Sequence, residues 1–318
     1  MVSEFEFIDR IKSKYALHRI GDDCAVLPKD SETDLLVTAD MLVEDIDFRL
    51  DWTTPEFLGH KALAVSLSDI AAMGGTPKWA MLTIGIPQTL WNTDFIDRFY
   101  AGWFALASDF NVELVGGDVS RVPGKLVIDS IVGGECSKGK AILRSMAKPG
   151  DAILVTGSLG GAAAGLKLLE SGLRFHDSLP VKQRELILKQ LQPRPQLTIS
   201  NSLNTLGIVT SMIDVSDGLS SDLMHICSAS GVGAMIEQHS LPIEPDLAVN
   251  LPADCCLNMA INGGEDLGLL LTVDKRNILW LDSLPVTRIG EITANVGTVE
   301  LVHDGQTTIL EPKGYRHF

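Results

Sequence analysis

Between Thr54 and Gly75 the chain carries a helical segment with almost no polar face, and a single aspartate sits inside it. The segment opens at Pro55 and runs through Ala64-Val65-Ser66-Leu67-Ser68-Asp69-Ile70-Ala71-Ala72 to Met73. Thr54 can cap its start, Pro55 suits the first helical position, and Gly74-Gly75 end it, so the spacing predicts a helix over 55–73. A helix this apolar has to be covered on most sides, and Asp69 would be covered with it. Desolvating a carboxylate is costly unless a cation or strong hydrogen-bond donors meet it. A mid-helix Asp gains nothing from turn chemistry. Asp69 is therefore either a satisfied buried hydrogen-bonding group or a ligand.

The rest of the composition narrows the setting. With 318 residues the chain is long enough for two domains, and at 45% apolar residues it can build a real core. No apolar stretch is long enough to span a bilayer. The opening stretch places Phe5, Ile8 and Ile11 at helical spacing among charges, which reads as folded protein rather than a leader. Cys24, Cys136, Cys227, Cys255 and Cys256 form no CxxC pair and no even framework. That pattern fits a reduced cytoplasm without disulfides or structural zinc. The formal charge of −15 comes with no basic tract, so neither nucleic acid nor an anionic membrane is an expected partner.

Along the chain, apolar runs alternate with helical segments. The first half predicts strands at Leu35–Ala39, Ala80–Ile86, Val112–Val115 and Leu126–Gly133, and helices at Pro55–Met73 and Thr93–Asp109. A turn cluster at Lys148-Pro149-Gly150-Asp151 opens a second unit. There, strands are expected at Ala152–Thr156, Met212–Val215, Gly233–Glu237 and Leu267–Val273, with helices at Ala162–Glu170, Leu197–Leu206 and Gly218–Ala229. Both units read as mixed α/β, with the boundary at residue 148: 1–148 and 149–318.

Further acids punctuate these runs. Asp22-Asp23 precede Cys24-Ala25-Val26-Leu27, Asp40 ends Leu35-Leu36-Val37-Thr38-Ala39, and Asp118 follows Gly116-Gly117. Asp214 follows Met212-Ile213, with Ser216 and Asp217 just beyond, and Glu265-Asp266 follow Gly263-Gly264. Ligands in α/β proteins gather at strand ends facing a cleft. Carboxylates converging there, with few nearby Lys or Arg, suit hard divalent cations, of which magnesium commonly bridges carboxylates to phosphates. The glycines in Gly116-Gly117 and Gly263-Gly264 would let backbone approach a ligand closely. Each Asp after a strand has the competing role of turn former or helix cap.

Other motifs carry less. Gly134-Glu135-Cys136-Ser137-Lys138-Gly139-Lys140-Ala141 approaches a P-loop but puts Ala141 where a hydroxyl should hold magnesium. Thr156-Gly157-Ser158-Leu159-Gly160-Gly161 lies between a strand and a helix, as phosphate loops do, and reads first as an ordinary turn. The protein-kinase motif set is absent, and Cys24 and Cys227 read as core residues.

Taken in order, several segments resemble the thiamine-monophosphate kinases. They are Gly21-Asp22-Asp23-Cys24-Ala25, Thr38-Ala39-Asp40-Met41-Leu42-Val43, Lys61 to Gly74, Gly116-Gly117-Asp118, Lys148 to Asp151, Ile213 to Leu219, Gly263 to Asp266 and Gly314-Tyr315-Arg316-His317-Phe318. The resemblance runs the length of the chain and places it with the aminoimidazole ribonucleotide synthetases. It implies a two-domain α/β fold with mixed sheets, whose N-terminal domains pair into a barrel in a homodimer. It also implies phosphate transfer from ATP to thiamine monophosphate, giving thiamine diphosphate. Several magnesium ions would be bound by Asp23, Thr38, Ala39, Asp40, Asp69, Asp118, Asp214 and Asp217. ATP would be met by Tyr100, Gly117, Asp118, Arg144 and Ser216, and the thiamine moiety by Glu265 and Tyr315. Asp47 stands where the family pattern has a substrate-contacting His, and would face the substrate instead. The alternatives implied are another ATP-using member of the superfamily, or a magnesium- and nucleotide-binding protein without catalysis.

Overall fold

The computed structural model describes residues 4–247 and 252–315. The last three residues of the Gly314–Phe318 motif lie outside the described residues. After an N-terminal helix α1 (Glu4–Tyr15), the first half comprises β1 (Ala25–Pro28), β2 (Thr33–Val43), α2 (Pro55–Ala72), β3 (Thr76–Pro87), α3 (Gln88–Trp91), α4 (Phe95–Phe110), β4 (Glu113–Val122) and β5 (Val127–Ser137). Its sheet has the order β1-β2-β5-β3-β4, antiparallel except for the β3/β4 pair, which α3 and α4 connect.

The second half comprises β6 (Asp151–Thr156), α5 (Gly161–Glu170), α6 (Val181–Leu191), α7 (Leu197–Leu206), β7 (Val209–Asp214), α8 (Leu219–Ser230), β8 (Gly233–Glu237), α9 (Ala253–Asn262), β9 (Leu269–Asp274), β10 (Val286–Thr293), β11 (Val299–His303) and β12 (Gln306–Ile309). These strands form one mixed sheet in the order β12-β11-β8-β10-β6-β9-β7. Among the described residues no helix is long and apolar enough to cross a membrane.

β6 shows how the halves are joined. All six of its residues are buried. Successive side chains on a strand point to opposite faces. Ala152 and Leu154 accordingly join the core shared with the first half, while Ile153 and Val155 join a second core with Leu219, Leu223 and Ile226 of α8. On the first-half side the shared core is organised around α2, which touches β2, β3, β5 and α4 as well as α7 and β7. Elements from both halves surround it. That explains an apolar sequence on every face.

The crossing of α2 and α4 is backbone against backbone. A Cβ added at Gly59 would lie 1.9 Å from Phe99 O, and one at Gly102 would lie 1.9 Å from Glu56 O. Only glycine permits that approach. Behind it pack Phe99 and Trp103, both fully buried.

The structure extends several sequence-predicted elements. The largest difference is β4, which runs on through Gly116-Gly117-Asp118 to Val122, so Asp118 lies inside a strand and not at its end. Glycines weaken a strand signal, but here Gly117, at φ +147, is the residue that lets β4 approach β3: a Cβ there would lie 1.9 Å from Leu82 O. Asp40 likewise lies within β2 rather than at its end. Sequence periodicity did not reveal α6, α9 or β10–β12.

Replacing Gly102 with Ala is expected to destabilise the protein by roughly 1–3 kcal/mol through overpacking. Urea unfolding of Gly102→Ala beside wild type checks this, and an unchanged midpoint would contradict the backbone-contact account.

Candidate active site

Asp69 emerges from α2 where the two halves meet. Thr38 Oγ1 of β2 donates to Asp69 Oδ2. Ser66 Oγ, one turn earlier on α2, donates to Asp40 Oδ2 at 2.7 Å, and Ser68 Oγ donates to Asp214 Oδ2 at 2.5 Å. The serines in Val65-Ser66-Leu67-Ser68 are thus the short donors that orient acids from β2 and β7. Asp23, Asp69 and Asp214 each offer an oxygen within 4.8 Å of the others.

These acids repel one another in a dry setting. Burial, the largest cause, raises the Asp40 carboxyl to about 6 and Asp214 to about 7, and Asp23 adds to both shifts. Asp69 is held well above the usual carboxylate range by burial and by Asp40, Asp214 and Asp23. Burial also raises Asp23, against the guanidinium of Arg144, whose Nη2 sits 2.7 Å from Asp23 Oδ1. Asp23 Oδ2 and Arg144 Nε are both buried without a hydrogen-bond partner among the described residues. Converging hard oxygens, one of them orphaned, fit a divalent cation such as magnesium. Cys24, beside this cluster, has its thiol pushed well up by burial and by the same aspartates, as suits a core residue.

A cavity of about 620 Å³ opens from the acids. Asp40, Asp69 and Asp214 line it together with Asp47, Glu265 and Tyr315, and Ser216 and Asp217 also line it, bonded through their carbonyls to the backbone N–H groups of Glu265 and Tyr315. Asp47 Oδ2 accepts from Val43 N at 2.7 Å, so this carboxylate closes its own loop while lining the cavity. The Tyr315 hydroxyl is raised by burial first, then by Asp47, Glu265 and Asp217, which places three acids around it. Glu265 Oε1 pairs with Lys61 Nζ at 2.7 Å, and Gln190 Nε2 donates to Glu265 Oε2. Glu265 holds a left-handed backbone at φ +65, as does Leu267 at φ +47. Such strain in non-glycine residues gathers at ligand sites. Close approach explains Gly264, whose added Cβ would lie 2.5 Å from Ser216 O.

Not every expected residue joins the cavity. Asp23, Thr38 and Arg144 stand behind it through Asp69 and Asp23. Ala39, Gly117 and Asp118 are exposed on the first sheet, and Tyr100 packs against Phe99 and Phe104 on α4. The sequence reading expected Arg144 near the phosphates, to which the structure adds a second cation, Lys61. It missed Lys61, Gln190 and Asp222; the last is buried, accepts from Gly218 N at 3.0 Å and lies close enough to Asp217 and Asp214 to be raised by them after burial. The glycine-rich loop before α5 is filled by the protein's own Asp266, which accepts from Gly160 N at 2.5 Å and Ala162 N at 2.9 Å. No helix follows Gly139-Lys140, so the other glycine-rich stretch forms no phosphate loop either.

The family model for AIR synthase related protein, N-terminal domain, matches residues 21–142, and that for the C-terminal domain matches 148–302. The chain is therefore an AIR synthase related protein. Within that class, the thiamine-monophosphate kinase of Bacillus subtilis (strain 168) is 37% identical, covering 100% of both chains. That of Escherichia coli (strain K12) is 38% identical, covering 94% of this chain and 91% of the relative. A solved structure of AaThiL complexed with AMPPCP and TMP matches with a TM-score of 0.89 at 32% identity, covering 100% of this chain and 97% of that one. The chain belongs to the thiamine-monophosphate kinase family.

Removing one charge should relieve the repulsion. Asp69→Asn is expected to raise the thermal midpoint measured in chelator by a few degrees, and to reduce the stabilisation that magnesium adds to wild type. A lower midpoint in chelator would mean that Asp69 is a structural hydrogen-bonding group.

Proposed function

We propose that the chain transfers the γ-phosphate of ATP in line to the phosphate of thiamine monophosphate, with magnesium ions at the carboxylate cluster. The observation that carries this reading is the single cavity that joins Asp40, Asp69 and Asp214 to Glu265 and Tyr315. Along α2, Lys61, Val65 and Asp69 all line it at four-residue spacing. The helical rise sets Lys61 and Asp69 about 12 Å apart along the axis. A two-ring acceptor can therefore lie along this stripe, with its phosphate toward Asp69 and its rings toward Glu265.

In this reading Asp23, Thr38, Ala39, Asp40, Asp69, Asp118, Asp214 and Asp217 hold the ions. Tyr100, Gly117, Asp118, Arg144 and Ser216 meet ATP, while Asp47, Glu265 and Tyr315 meet the thiamine moiety. When bound, magnesium supplies the positive charge that lets two phosphates approach and align. The chain's own part is positional. Ser66, Ser68 and Thr38 fix the acids that face the phosphates, and Arg144 pairs with Asp23 and offsets part of the cost of its burial. The attacking phosphate oxygen is already ionised near neutral pH, so no side chain need remove a proton from it. Tyr315 offers a ring face to a cationic thiazolium.

The same reading takes 1–148 and 149–318 as the two domains, the cytoplasm as the location and a homodimer as the working form. The first sheet supports the dimer. Its strand β4 is an exposed edge, and Met41, Met81, Val115 and Val119 are exposed apolar residues on that sheet. Pairing two such sheets would cover them. Sedimentation is expected to give twice the chain mass, with Val119→Glu shifting the protein toward monomer; a wild-type monomer at micromolar concentration would contradict the pairing.

Incubation with ATP, magnesium and thiamine monophosphate is expected to yield thiamine diphosphate, and Asp40→Asn to lower turnover roughly 100-fold or more. Near-wild-type turnover by Asp40→Asn would remove the carboxylate cluster from the reaction.

A further inference from the structure

At the ring end of the cavity, Glu265 is not a free negative charge. Lys61 Nζ lies 2.7 Å from its Oε1, and Gln190 Nε2 donates to its Oε2. Lys61 and Gln190 are 3% and 4% exposed. Pairing with Lys61 offsets the charge of Glu265, so this carboxylate contributes to ligand selection by hydrogen bonding more than by charge.

Gln190 supplies the unused group. Its Oε1 is buried and has no hydrogen-bond partner among the described residues, although Gln190 lines the cavity. The amide orientation is set by Glu265, because turning it over would face one acceptor with another. A buried acceptor without a donor is uncommon in a folded protein, and a donor from a ligand packed against Gln190 would satisfy it. Trp52, Leu58, Leu169 and Leu191 line the same cavity, as suits a flat heteroaromatic ring.

Resting on the thiamine monophosphate reading, we propose that Gln190 reads the exocyclic amine of the acceptor's pyrimidine ring, and so selects an amino- over an oxo-pyrimidine. One amine hydrogen meets Gln190 Oε1, and Glu265, fixed by Lys61, has a lone pair for the other. An oxo group in that position meets the two acceptors with which the amine would pair. With the amide as it stands, the oxo oxygen faces Gln190 Oε1. With the amide reversed, Gln190 Oε1 faces Glu265. Both arrangements oppose two acceptors, so the discrimination is built into the pair. Gln190 is a specificity residue in this account and takes no part in phosphate transfer.

The test compares kcat/KM for thiamine monophosphate and for its 4-oxo analogue, with saturating magnesium and ATP, in wild type and Gln190→Met. Wild type is expected to favour the amine roughly 100-fold or more. In Gln190→Met the ratio should fall below about 10-fold, chiefly through a higher KM for the amine, while KM for ATP stays unchanged. If Gln190→Met does not fold, Gln190→Asn, which draws the amide back by one methylene, should show the same collapse of the ratio. A wild type that uses both acceptors alike, or a variant that keeps the wild-type ratio, would overturn the assignment while leaving the kinase reading intact. A wild type that phosphorylates neither compound would overturn both.

Discussion

Repulsion among buried and half-buried carboxylates is the constraint around which this molecule is arranged. Asp23, Asp40, Asp69 and Asp214 come from four separate segments and meet where the two halves join. Removing them from water raises each of their pKa values, and their mutual field adds to the shift. Left alone, such a cluster destabilises the fold. The protein offsets part of that cost with Arg144 and with short hydroxyl donors, namely Thr38, Ser66 and Ser68. In the proposed reading the remainder falls to cations, which in turn attract the phosphates of the substrates.

One helix links this constraint to substrate selection. α2 is covered by elements of both halves, which fixes its position tightly, and its backbone contact with α4 leaves no room for sliding. Along one stripe it carries Lys61, Val65 and Asp69 into the cavity. The same rigid element therefore positions the acid of the metal cluster and the lysine that pairs with Glu265. Any shift of α2 would disturb both ends together, which in the proposed reading couples recognition of the rings to alignment of the phosphate.

Much of this was legible from residue types. Asp69 stood out because neither turn nor cap explains a mid-helix carboxylate, and α2 was bounded by Thr54, Pro55 and Gly74. Helix α7 (Leu197–Leu206) and strand β8 (Gly233–Glu237) match their sequence ranges as well. The glycines were legible as close approaches but not for their partners: Gly117 meets Leu82 O and Gly264 meets Ser216 O, both contacts within the protein. Helix α6 was missed because its apolar signal is short. Leu186, Ile187 and Leu191, with Gln190 among them, are its buried positions, and Pro180 just before it was the available start signal. Gln190 went unseen with it, since an uncharged amide shows its role only when its partner Glu265, 75 residues away, is in place. The order of the second sheet depends on long-range pairing of the same kind and has no local signature.

Proton exchange on metal binding tests the central claim most directly. Asp40 and Asp214, at about 6 and about 7, hold protons over part of the time at pH 6.5 in the metal-free protein. Cations bind the deprotonated form, so their arrival must expel those protons. Calorimetric titration of magnesium into the protein with ATP, repeated in buffers of different ionisation heat, measures that release. The account predicts net proton release at pH 6.5, beyond that of ATP with magnesium alone, with the share from Asp40 and Asp214 declining as the pH rises past 7. Magnesium binding at pH 6.5 with no release beyond that control would contradict the picture of a crowded, partly protonated cluster that cations discharge.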